Sequence, residues 1–273
     1  MTKRNEKYHS FKIAVPKDFE EVISHFYYAE NKSEEPLTQT LLPSYQTILV
    51  FNFGSKALLH SKQNTTIEVD KCLVLGPIKK AFDYSLQPQS KILVANFKND
   101  AFYRFFRNTP IGEKEPLDPD SLFKENCFTA LWYELNEFSE VNLQVKHLLE
   151  YCNVFLKPRN PIAEQLSNFK EAHLNPIKTV ASNNNLTERI IQINQKKHFG
   201  YSAKEISRYR RFLNAIELLE NFATKPSKKD WFAIISECGY YDQSQLINDF
   251  KHYINLSPTK YFKFQQEICN PTK

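Results

Sequence analysis

The sequence contains little glycine, and its few glycines are far apart. Only five occur in 273 residues, at positions 54, 76, 112, 200 and 239. Loops that cradle phosphates need closely spaced glycines, so this class of nucleotide site is excluded. The motifs G-x-S-x-G and H-E-x-x-H, typical of two hydrolase classes, are also absent. We therefore predict that the protein is not an enzyme and uses no cofactor.

Candidate metal ligands are few and scattered. Before residue 110 the histidines are His9, His25 and His60, without an H-x-H pair, whereas a metal site on facing strands needs clustered imidazoles. The five cysteines, which form no C-x-x-C pair, are Cys72, Cys127, Cys152, Cys238 and Cys269. An odd number of scattered cysteines is typical of reduced, mostly buried thiols in a cytoplasmic protein. We expect no metal site and a cytoplasmic location.

Long apolar runs are missing, and the positive charge is unevenly distributed. No run approaches the ~20 apolar residues that span a bilayer, and residues 1–10 lack the apolar segment of a signal peptide. Residues 1–160 contain 20 Lys or Arg and 20 Asp or Glu, whereas residues 161–273 contain 16 and 11, so the whole net charge of +5 lies in the C-terminal part. This distribution favours a polyanionic partner and no membrane association.

Residues 1–110 have the pattern of a β-rich domain. Short β-branched or aromatic runs alternate with turn signals such as Gly76-Pro77, which is typical of antiparallel sandwiches and small barrels. The predicted strands are Ile48–Phe53, Ala57–His60, Thr66–Leu75, Phe82–Leu86 and Lys91–Phe97. Asp100 is expected to cap a short aromatic helix. We predict an antiparallel β-barrel with flanking helices.

Residues 111–157 are predicted to hold two helices, near 128–136 and 141–156, after a proline-containing loop at 109–120. The second helix carries an apolar stripe of Val141, Val145, Leu148, Leu149, Cys152 and Phe155. Such a stripe fits packing on its own domain or on a second copy of the chain, so a homodimer is one candidate assembly. Residues 157–161, with two prolines, are the predicted linker to the region 158–273.

The C-terminal region contains an internal repeat with an offset of 55 residues. Residues 177–206 align with residues 232–261, and each unit has the pattern helix, tight turn, helix. The aligned pairs include Ile177 with Phe232, Val180 with Ile235, Ala181 with Ser236, Leu186 with Tyr241, Ile191 with Leu246, and Gly200 with Asn255. Two helix-turn-helix units make DNA the first hypothesis. We predict an α+β protein of two domains whose C-terminal domain is all-α.

The second helix of each unit is the predicted recognition helix, at Thr187–His198 and Gln243–Tyr253. Gln and Asn pair with adenine and Arg with guanine, whereas Lys mainly contacts phosphate. The candidate base contacts are Arg189, Gln192, Gln243, Gln245 and Asn248. The candidate phosphate contacts are Lys196, Lys197, Arg208, Lys251 and Lys260.

One long helix is predicted between the two units, from Ala203 to Phe222. Its 20 residues correspond to ~30 Å, and one turn of B-DNA is ~34 Å. A helix of this length can hold two recognition helices near successive major grooves. Its apolar line is predicted to be Ile206, Tyr209, Leu213, Ile216 and Leu219. Asp242 and Ser257-Pro258 are local start signals for the helices that follow.

Particular residues of the repeat match a known family pattern. The second unit carries Gly239-Tyr240-Tyr241-Asp242-Gln243-Ser244, then Phe250, then Leu256-Ser257-Pro258-Thr259-Lys260-Tyr261. The first unit has like residues at Leu186-Thr187, Arg189, Gly200, Arg211-Phe212 and Ala215. With these residues, the segment 177–261 resembles the AraC/XylS family of transcriptional regulators. In the β-rich region, residues 42–54 and Gly76-Pro77 are similar to the cupin-like sensor domains of such regulators.

The resemblance implies a transcriptional regulator, activator or repressor, that binds double-stranded DNA. It also implies that the β-rich domain senses a small-molecule effector or mediates dimerisation, and it makes RNA polymerase a further candidate partner. The chain departs from the family pattern at Ile193, Gln195, Ala203, Gln245, Asn248 and Asn255. Because Ile193 and Gln195 lie in the first recognition helix, we expect the second unit to carry more of the affinity. The alternative interpretation is a ligand-binding β-barrel protein whose helical domain is a protein-interaction module.

Overall fold

A computed structural model describes residues 7–60, 66–107, 118–123, 127–171, 174–222 and 226–269. The chain divides into two compact units, the first ending at Ser202 and the second beginning at Ala203. The first unit contains the sheet domain together with the first helix-turn-helix unit. The second contains the long helix and the second helix-turn-helix unit.

The N-terminal part of the first unit consists of antiparallel strands in two sheets. The strands are β1 (Tyr8–Ile13), β2 (Ile23–Asn31), β3 (Leu37–Leu41), β4 (Thr47–Gly54), β5 (Ala57–His60), β6 (Thr66–Val69), β7 (Cys72–Leu75), β8 (Phe82–Leu86) and β9 (Ser90–Phe97). One sheet has the order β1-β2-β9-β4-β7 and the other the order β3-β8-β5-β6. The predicted strands are confirmed, except that Thr66–Leu75 is two strands, one in each sheet.

The prediction of a closed β-barrel is wrong. Among the described strands, every backbone ladder joins strands of the same sheet, so the two sheets stay open and lie as separate layers. Alternating apolar residues determine the two faces of a strand. Closure depends instead on pairing between edge strands that are distant in the chain, which a local pattern does not encode.

The five-stranded sheet is buried on both faces. In β4, Leu49 and Phe51 belong to a core that also contains residues of α1, α3 and α4, whereas Ile48 and Val50 belong to a core between the two sheets. The stripe of α4 contributes Val145, Leu148, Leu149 and Cys152 to the first of these cores. Of the two alternatives for this stripe, packing on its own sheet domain is therefore the one observed.

The helices of the first unit are α1 (Ala101–Phe106), α2 (Pro119–Phe123), α3 (Cys127–Asn136), α4 (Val141–Phe155), α5 (Pro161–Ser167), α6 (Pro176–Asn183) and α7 (Glu188–Phe199). Those of the second unit are α8 (Ala203–Glu220), α9 (Lys228–Glu237), α10 (Gln243–Ile254) and α11 (Pro258–Cys269). Residues 109–117 of the predicted loop lie outside the described residues, and α2 begins directly after Asp118.

The predicted linker is attached to α1. Asp100 occupies the N-cap position of α1, but its side chain makes no capping hydrogen bond. Its carboxylate instead accepts hydrogen bonds from Arg159, with Nε 2.9 Å from Oδ1. The Arg104 and Lys157 main chains are also joined, because the Lys157 amide donates to the Arg104 carbonyl at 3.1 Å. The expected cap by Asp100 is therefore wrong, since a long-range ion pair uses the carboxylate.

The two helix-turn-helix units differ by one residue in their turns. Leu186 N–H donates to Ala181 O at 3.0 Å, and the same five-residue bond in the second unit joins Tyr240 to Ile235 at 2.9 Å. The residue just before the donor of each bond has a left-handed backbone conformation. It is Asn185 in the first turn and Gly239 in the second. The offset is therefore 54 through the first helices and 55 through the recognition helices. The predicted pairings that lie before the recognition helices are wrong by one residue: Ile177 with Phe232, Val180 with Ile235, Ala181 with Ser236, and Leu186 with Tyr241. Tyr241 is the inserted residue.

The long helix α8 is 18 residues long, two shorter than predicted. Its buried residues are Tyr209, Phe212, Ala215 and Leu219. Leu213, which the predicted apolar line included, is 41% exposed. The predicted line is wrong at its centre, because the buried face continues from Tyr209 through Phe212 to Ala215 at spacings of three residues and leaves Leu213 at its edge.

Candidate nucleic-acid interface and ligand cavity

The first recognition helix, α7, has local caps at both ends. The Thr187 hydroxyl accepts a hydrogen bond from the Ile190 amide at 3.4 Å, and Gly200 ends the helix at φ 74° in the left-handed region. Ile191 and Phe199 are buried beneath the helix. The predicted contacts Arg189, Gln192, Lys196 and Lys197 are all exposed. These four positions are therefore accessible, and their contacts with DNA stay predictions.

The C-terminal end of α7 packs against the sheet domain within the same unit. The ring of His198 meets the ring of Tyr103 in α1 edge-on, with centroids 4.4 Å apart. Lys197 Nζ lies 5.8 Å from the centre of the same tyrosine ring, within reach of a cation–π interaction. Burial lowers the pKa of His198 below its ordinary value. Lys197 thus has a contact inside the unit in addition to its predicted role.

The second recognition helix, α10, begins at a side-chain cap that the sequence predicted. Asp242 Oδ1 accepts a hydrogen bond from the Gln245 amide at 2.8 Å. The Gln245 side chain in turn accepts from the Tyr241 amide at 2.9 Å. Leu246 and Phe250 are fully buried, whereas Gln243, Asn248 and Lys251 are exposed. Gln245 is half-buried, and its side-chain oxygen helps to hold the turn.

Arg208 binds a carboxylate inside the second unit. Its Nε lies 2.6 Å from Oδ1 of Asp249, and Arg211 Nη2 lies 2.9 Å from Oδ2 of the same residue. Asp249 is 1% exposed, so this pairing compensates a buried charge. The Arg211 guanidinium also lies over the Tyr240 ring, 4.4 Å from its centre. Sequence reasoning missed Asp249, because its partners lie about forty positions earlier in the chain.

The last predicted phosphate contact, Lys260, lies near the start of α11. Its amide donates to the Ser257 hydroxyl at 3.3 Å, which confirms the predicted cap. Its side chain is exposed. Asn255 ends α10 at φ 59°, in the left-handed region where the first unit has Gly200. Asparagine is among the few residues that adopt this conformation at low cost.

A cavity of about 380 Å³ lies between the two sheets. Its apolar walls include Val50, Leu59, Val69, Ile92 and Val94. These residues come from both sheets, and they face each other because the open sandwich is not filled at this point. A volume of this size lies in the range that holds small organic ligands.

One side of the cavity is polar and cationic. Lys12, His25, Gln46 and Asn96 line it. Ser24 Oγ lies 2.9 Å from His25 Nδ1 and donates to the Gln46 side chain at 3.2 Å. Burial, and to a smaller extent the charge of Lys12, lower the pKa of His25 below its ordinary value. Lys12 is therefore close enough to His25 to disfavour its protonated form, and a bound anion beside both groups would favour that form.

The cavity wall is connected to Tyr201, which follows Gly200 at the end of α7. Ser44 and Gln46 line the cavity, and Tyr45 between them is buried at φ 55°. The Tyr45 ring meets the Tyr201 ring edge-on, with centroids 5.3 Å apart. Tyr201 also lies beside Phe199 of α7, at 5.7 Å between ring centroids. Aromatic side chains thus connect the cavity with the end of the first recognition helix.

The described residues offer little for other chemistry. They contain no group of three His, Cys, Asp or Glu side chains placed to hold a metal ion. Cys72, Cys127, Cys152 and Cys238 are free thiols, and burial raises the pKa of Cys72 and Cys152 to about 12. None of the described helices has the length and hydropathy needed to cross a lipid bilayer.

Comparisons with known proteins concern the sheet domain and the whole chain. A family model described as a domain of unknown function (DUF6597) matches residues 12–114. No curated protein matches the chain significantly. The chain is similar to the crystal structure of ToxT from Vibrio cholerae O395, with 12% identity, a TM-score of 0.40, and coverage of 95% of this chain and 98% of that chain.

Two further solved structures are similar over most of their lengths. Unsaturated fatty acid bound wild-type ToxT from Vibrio cholerae strain SCE256 is 15% identical, with a TM-score of 0.36 and coverage of 96% of this chain and 97% of that chain. The AraC-like transcriptional activator CuxR is 9% identical, with a TM-score of 0.20 and coverage of 96% and 86%.

Proposed function

We propose that the chain is a sequence-specific DNA-binding transcriptional regulator of the AraC/XylS type. The observation that carries the proposal is that the same helix-turn-helix arrangement occurs twice. Each second helix buries apolar residues and exposes amide and cationic side chains, which in α7 are accompanied by Ile190 and Ile193. Such a face is what the major groove accepts from a recognition helix. In this proposal Arg189, Gln192, Gln243, Gln245 and Asn248 contact bases.

The proposal includes binding of the two units to successive major grooves, whose repeat along the DNA is longer than α8. Its 18 residues correspond to ~27 Å, compared with ~34 Å for one turn of B-DNA. If the recognition helices were separated by less than one DNA turn, binding by both units would require a bent or compressed DNA site, with a cost that depends on the sequence between the contacts. Four of the proposed phosphate contacts are exposed, namely Lys196, Lys197, Lys251 and Lys260. The fifth, Arg208, would contact phosphate while also neutralising Asp249.

Selection from a random-sequence duplex library with the full-length chain tests this function. A regulator of the proposed type enriches a motif whose two parts lie about one helical turn apart. The competing interpretation, a ligand-binding protein with a protein-interaction domain, predicts no enriched motif. Equal affinity for enriched and scrambled duplexes would reject the proposal.

Lys251→Ala should weaken binding to every duplex, enriched or scrambled. A lysine that contacts phosphate releases about one counterion on binding, so the slope of log affinity against log salt should become shallower by about one. Fluorescence anisotropy over a salt series measures this slope. The control is Lys146→Ala, which removes the same charge from an exposed position in α4 and should leave the slope unchanged. An unchanged slope in Lys251→Ala would contradict the phosphate role.

We also propose that the cavity between the sheets binds the effector, and that the effector is an apolar molecule with an anionic group. The apolar walls match an aliphatic or aromatic body, and Lys12 with His25 matches a carboxylate or a similar anion. The contact between Tyr45 and Tyr201 offers a route by which occupancy of the cavity changes the position of α7.

Tyr201→Leu should uncouple the effector from DNA binding. Leucine retains apolar volume at this buried position but removes the edge-on ring contact with Tyr45. The test ligand is an alkanoate, which combines an aliphatic chain with a carboxylate. In Tyr201→Leu, the DNA dissociation constants measured with and without alkanoate should become nearly equal, so that their ratio approaches one. The affinity of the variant for the alkanoate itself should stay within about threefold of that of the unmodified chain. Titrations of DNA at saturating and zero alkanoate measure the ratio. A ratio equal to that of the unmodified chain would exclude this route.

A further inference from the structure

An isoleucine occupies the centre of the exposed face of α7. The buried residues of α7 are Ile191, Gln195, His198 and Phe199. At 100° per residue, the direction opposite to their mean passes through residue 193. Ile193 is 57% exposed. An apolar side chain therefore stands at the position of a recognition helix that would penetrate furthest into a groove.

Cations surround this isoleucine. The residues one turn away along the helix, at spacings of three and four, are Arg189, Ile190, Lys196 and Lys197. Three of these four neighbours are positively charged, and the fourth is a second isoleucine that is 40% exposed. An exposed apolar side chain flanked by cations is complementary to a groove that has an apolar group on its floor and phosphates along its edges.

The second recognition helix carries a different residue at the same place. With the offset of 55 that the structure gives for the recognition helices, Ile193 corresponds to Asn248, and Lys196 corresponds to Lys251. Asn248 is exposed and presents an amide, which can donate to and accept from adenine. The Ile193 side chain can form no hydrogen bond. The two units therefore require different groups on the DNA at these equivalent positions.

We infer that Ile193 determines specificity in the first unit by contacting the C5 methyl group of thymine. This methyl is the apolar group that the floor of the major groove presents, and apolar side chains are its usual partners. The inference rests on the proposed DNA-binding function. It assigns to the first unit a preference for thymine that depends on shape and apolar burial, whereas the second unit uses hydrogen bonds.

Replacing thymine by uracil tests the contact, because it removes only the C5 methyl group. The probes are duplexes of the motif enriched by the full-length chain, each with one thymine changed to uracil. For the unmodified chain, one substitution in the part bound by the first unit should weaken binding about fourfold, the factor expected for one buried methyl group. For Ile193→Ala the same substitution should have a smaller effect, because the shorter side chain buries less of the methyl group, while the effects at all other thymines persist.

Two variants serve as controls. Ile193→Leu keeps an apolar side chain and should retain sensitivity to that uracil, whereas Leu143→Ala shortens an apolar side chain that is 45% exposed in α4 and should leave the whole profile unchanged. Because Ile193 is exposed and alanine favours helices, Ile193→Ala should melt at the same temperature as the unmodified chain, so that altered binding does not reflect unfolding.

The outcomes separate the inference from the proposed function. If Ile193→Ala and the unmodified chain have identical uracil profiles on an enriched motif, the thymine contact is refuted and DNA binding stands. The exposed isoleucine would then be assigned to a protein partner. If the full-length chain enriches no motif, the DNA-binding function fails and the inference fails with it.

Discussion

Asp249→Ala should lower the free energy of unfolding of the second unit by about 3 kcal/mol, because removing one member of a buried ion pair leaves the other uncompensated. The Asp249 side chain is 1% exposed and accepts hydrogen bonds from Arg208 and Arg211. The two arginine side chains are 38% and 22% exposed. They can regain some water when the carboxylate is lost, so we expect the lower end of the range for broken buried pairs.

The two tryptophans of the chain allow the second unit to be followed separately. Trp132 lies in α3 of the first unit and Trp231 in α9 of the second. In a Trp132→Phe background, the fluorescence of Trp231 during urea unfolding reports on the second unit alone. The urea concentration at the unfolding midpoint should be clearly lower for Asp249→Ala than for the Trp132→Phe parent. Glu217→Ala, which removes the same charge from an exposed position in α8, should change stability by less than about 0.5 kcal/mol.

The Asp249 variant also tests how Arg208 acts. If Arg208 serves mainly to neutralise the buried carboxylate, Arg208→Ala should destabilise the second unit and weaken DNA binding only through that loss. At a temperature where both proteins are folded, the salt dependence of binding should then be unaltered. A shallower salt slope in folded Arg208→Ala would support the phosphate contact instead. A midpoint of Asp249→Ala equal to that of its parent would show that the ion pair contributes no stability.

Lys12→Met should weaken the binding of straight-chain alkanoates by about two- to fivefold, because Lys12 is exposed and an ion pair in contact with water is worth at most about 1 kcal/mol. Methionine keeps most of the length of the lysine stem, so the apolar walls of the cavity should be unaffected. Isothermal titration with alkanoates of graded chain length measures the affinity. Alkanols of the same lengths provide the matched control, since they lack the charge and should bind the variant and the unmodified chain equally.

Alkanoate affinity should also rise as the pH falls from about 8 to about 6. In the free protein, burial and Lys12 lower the pKa of His25 below its ordinary value, so the imidazole is neutral at pH 8. A bound carboxylate favours the protonated form and raises that pKa, so binding takes up a proton and strengthens toward low pH. His25→Gln should remove this pH dependence. A pH-independent affinity in the unmodified chain would contradict placement of the anion beside His25.

Local signals accounted for most of the helix ends and strand positions. Asp242 and Ser257 were identified from their positions before polar and apolar runs, and both cap their helices. The exposed face of α7 followed from its apolar spacing. These features depend on residues within one or two turns of each other, so the sequence contains all the partners that determine them.

Features that depend on distant partners were not accessible in this way. The Asp100 carboxylate binds Arg159, 59 positions later, where the sequence indicated a helix cap. The predicted apolar line of α8 contained Leu213 in place of Phe212. Phe212 is the residue that packs against Phe250 and Tyr253. The repeat alignment missed a one-residue insertion at Tyr241, since only the turn hydrogen bonds reveal it.

From the sequence by itself came the α+β composition, the two helix-turn-helix units and the cationic C-terminal region, because periodicity and charge are properties of short segments. The tertiary structure alone decided that the sheets remain open and enclose a cavity beside Lys12 and His25, and that Asp249 holds Arg208 and Arg211. These arrangements join residues far apart in the chain. Their energies come from burial and pairing that exist only after the elements have packed.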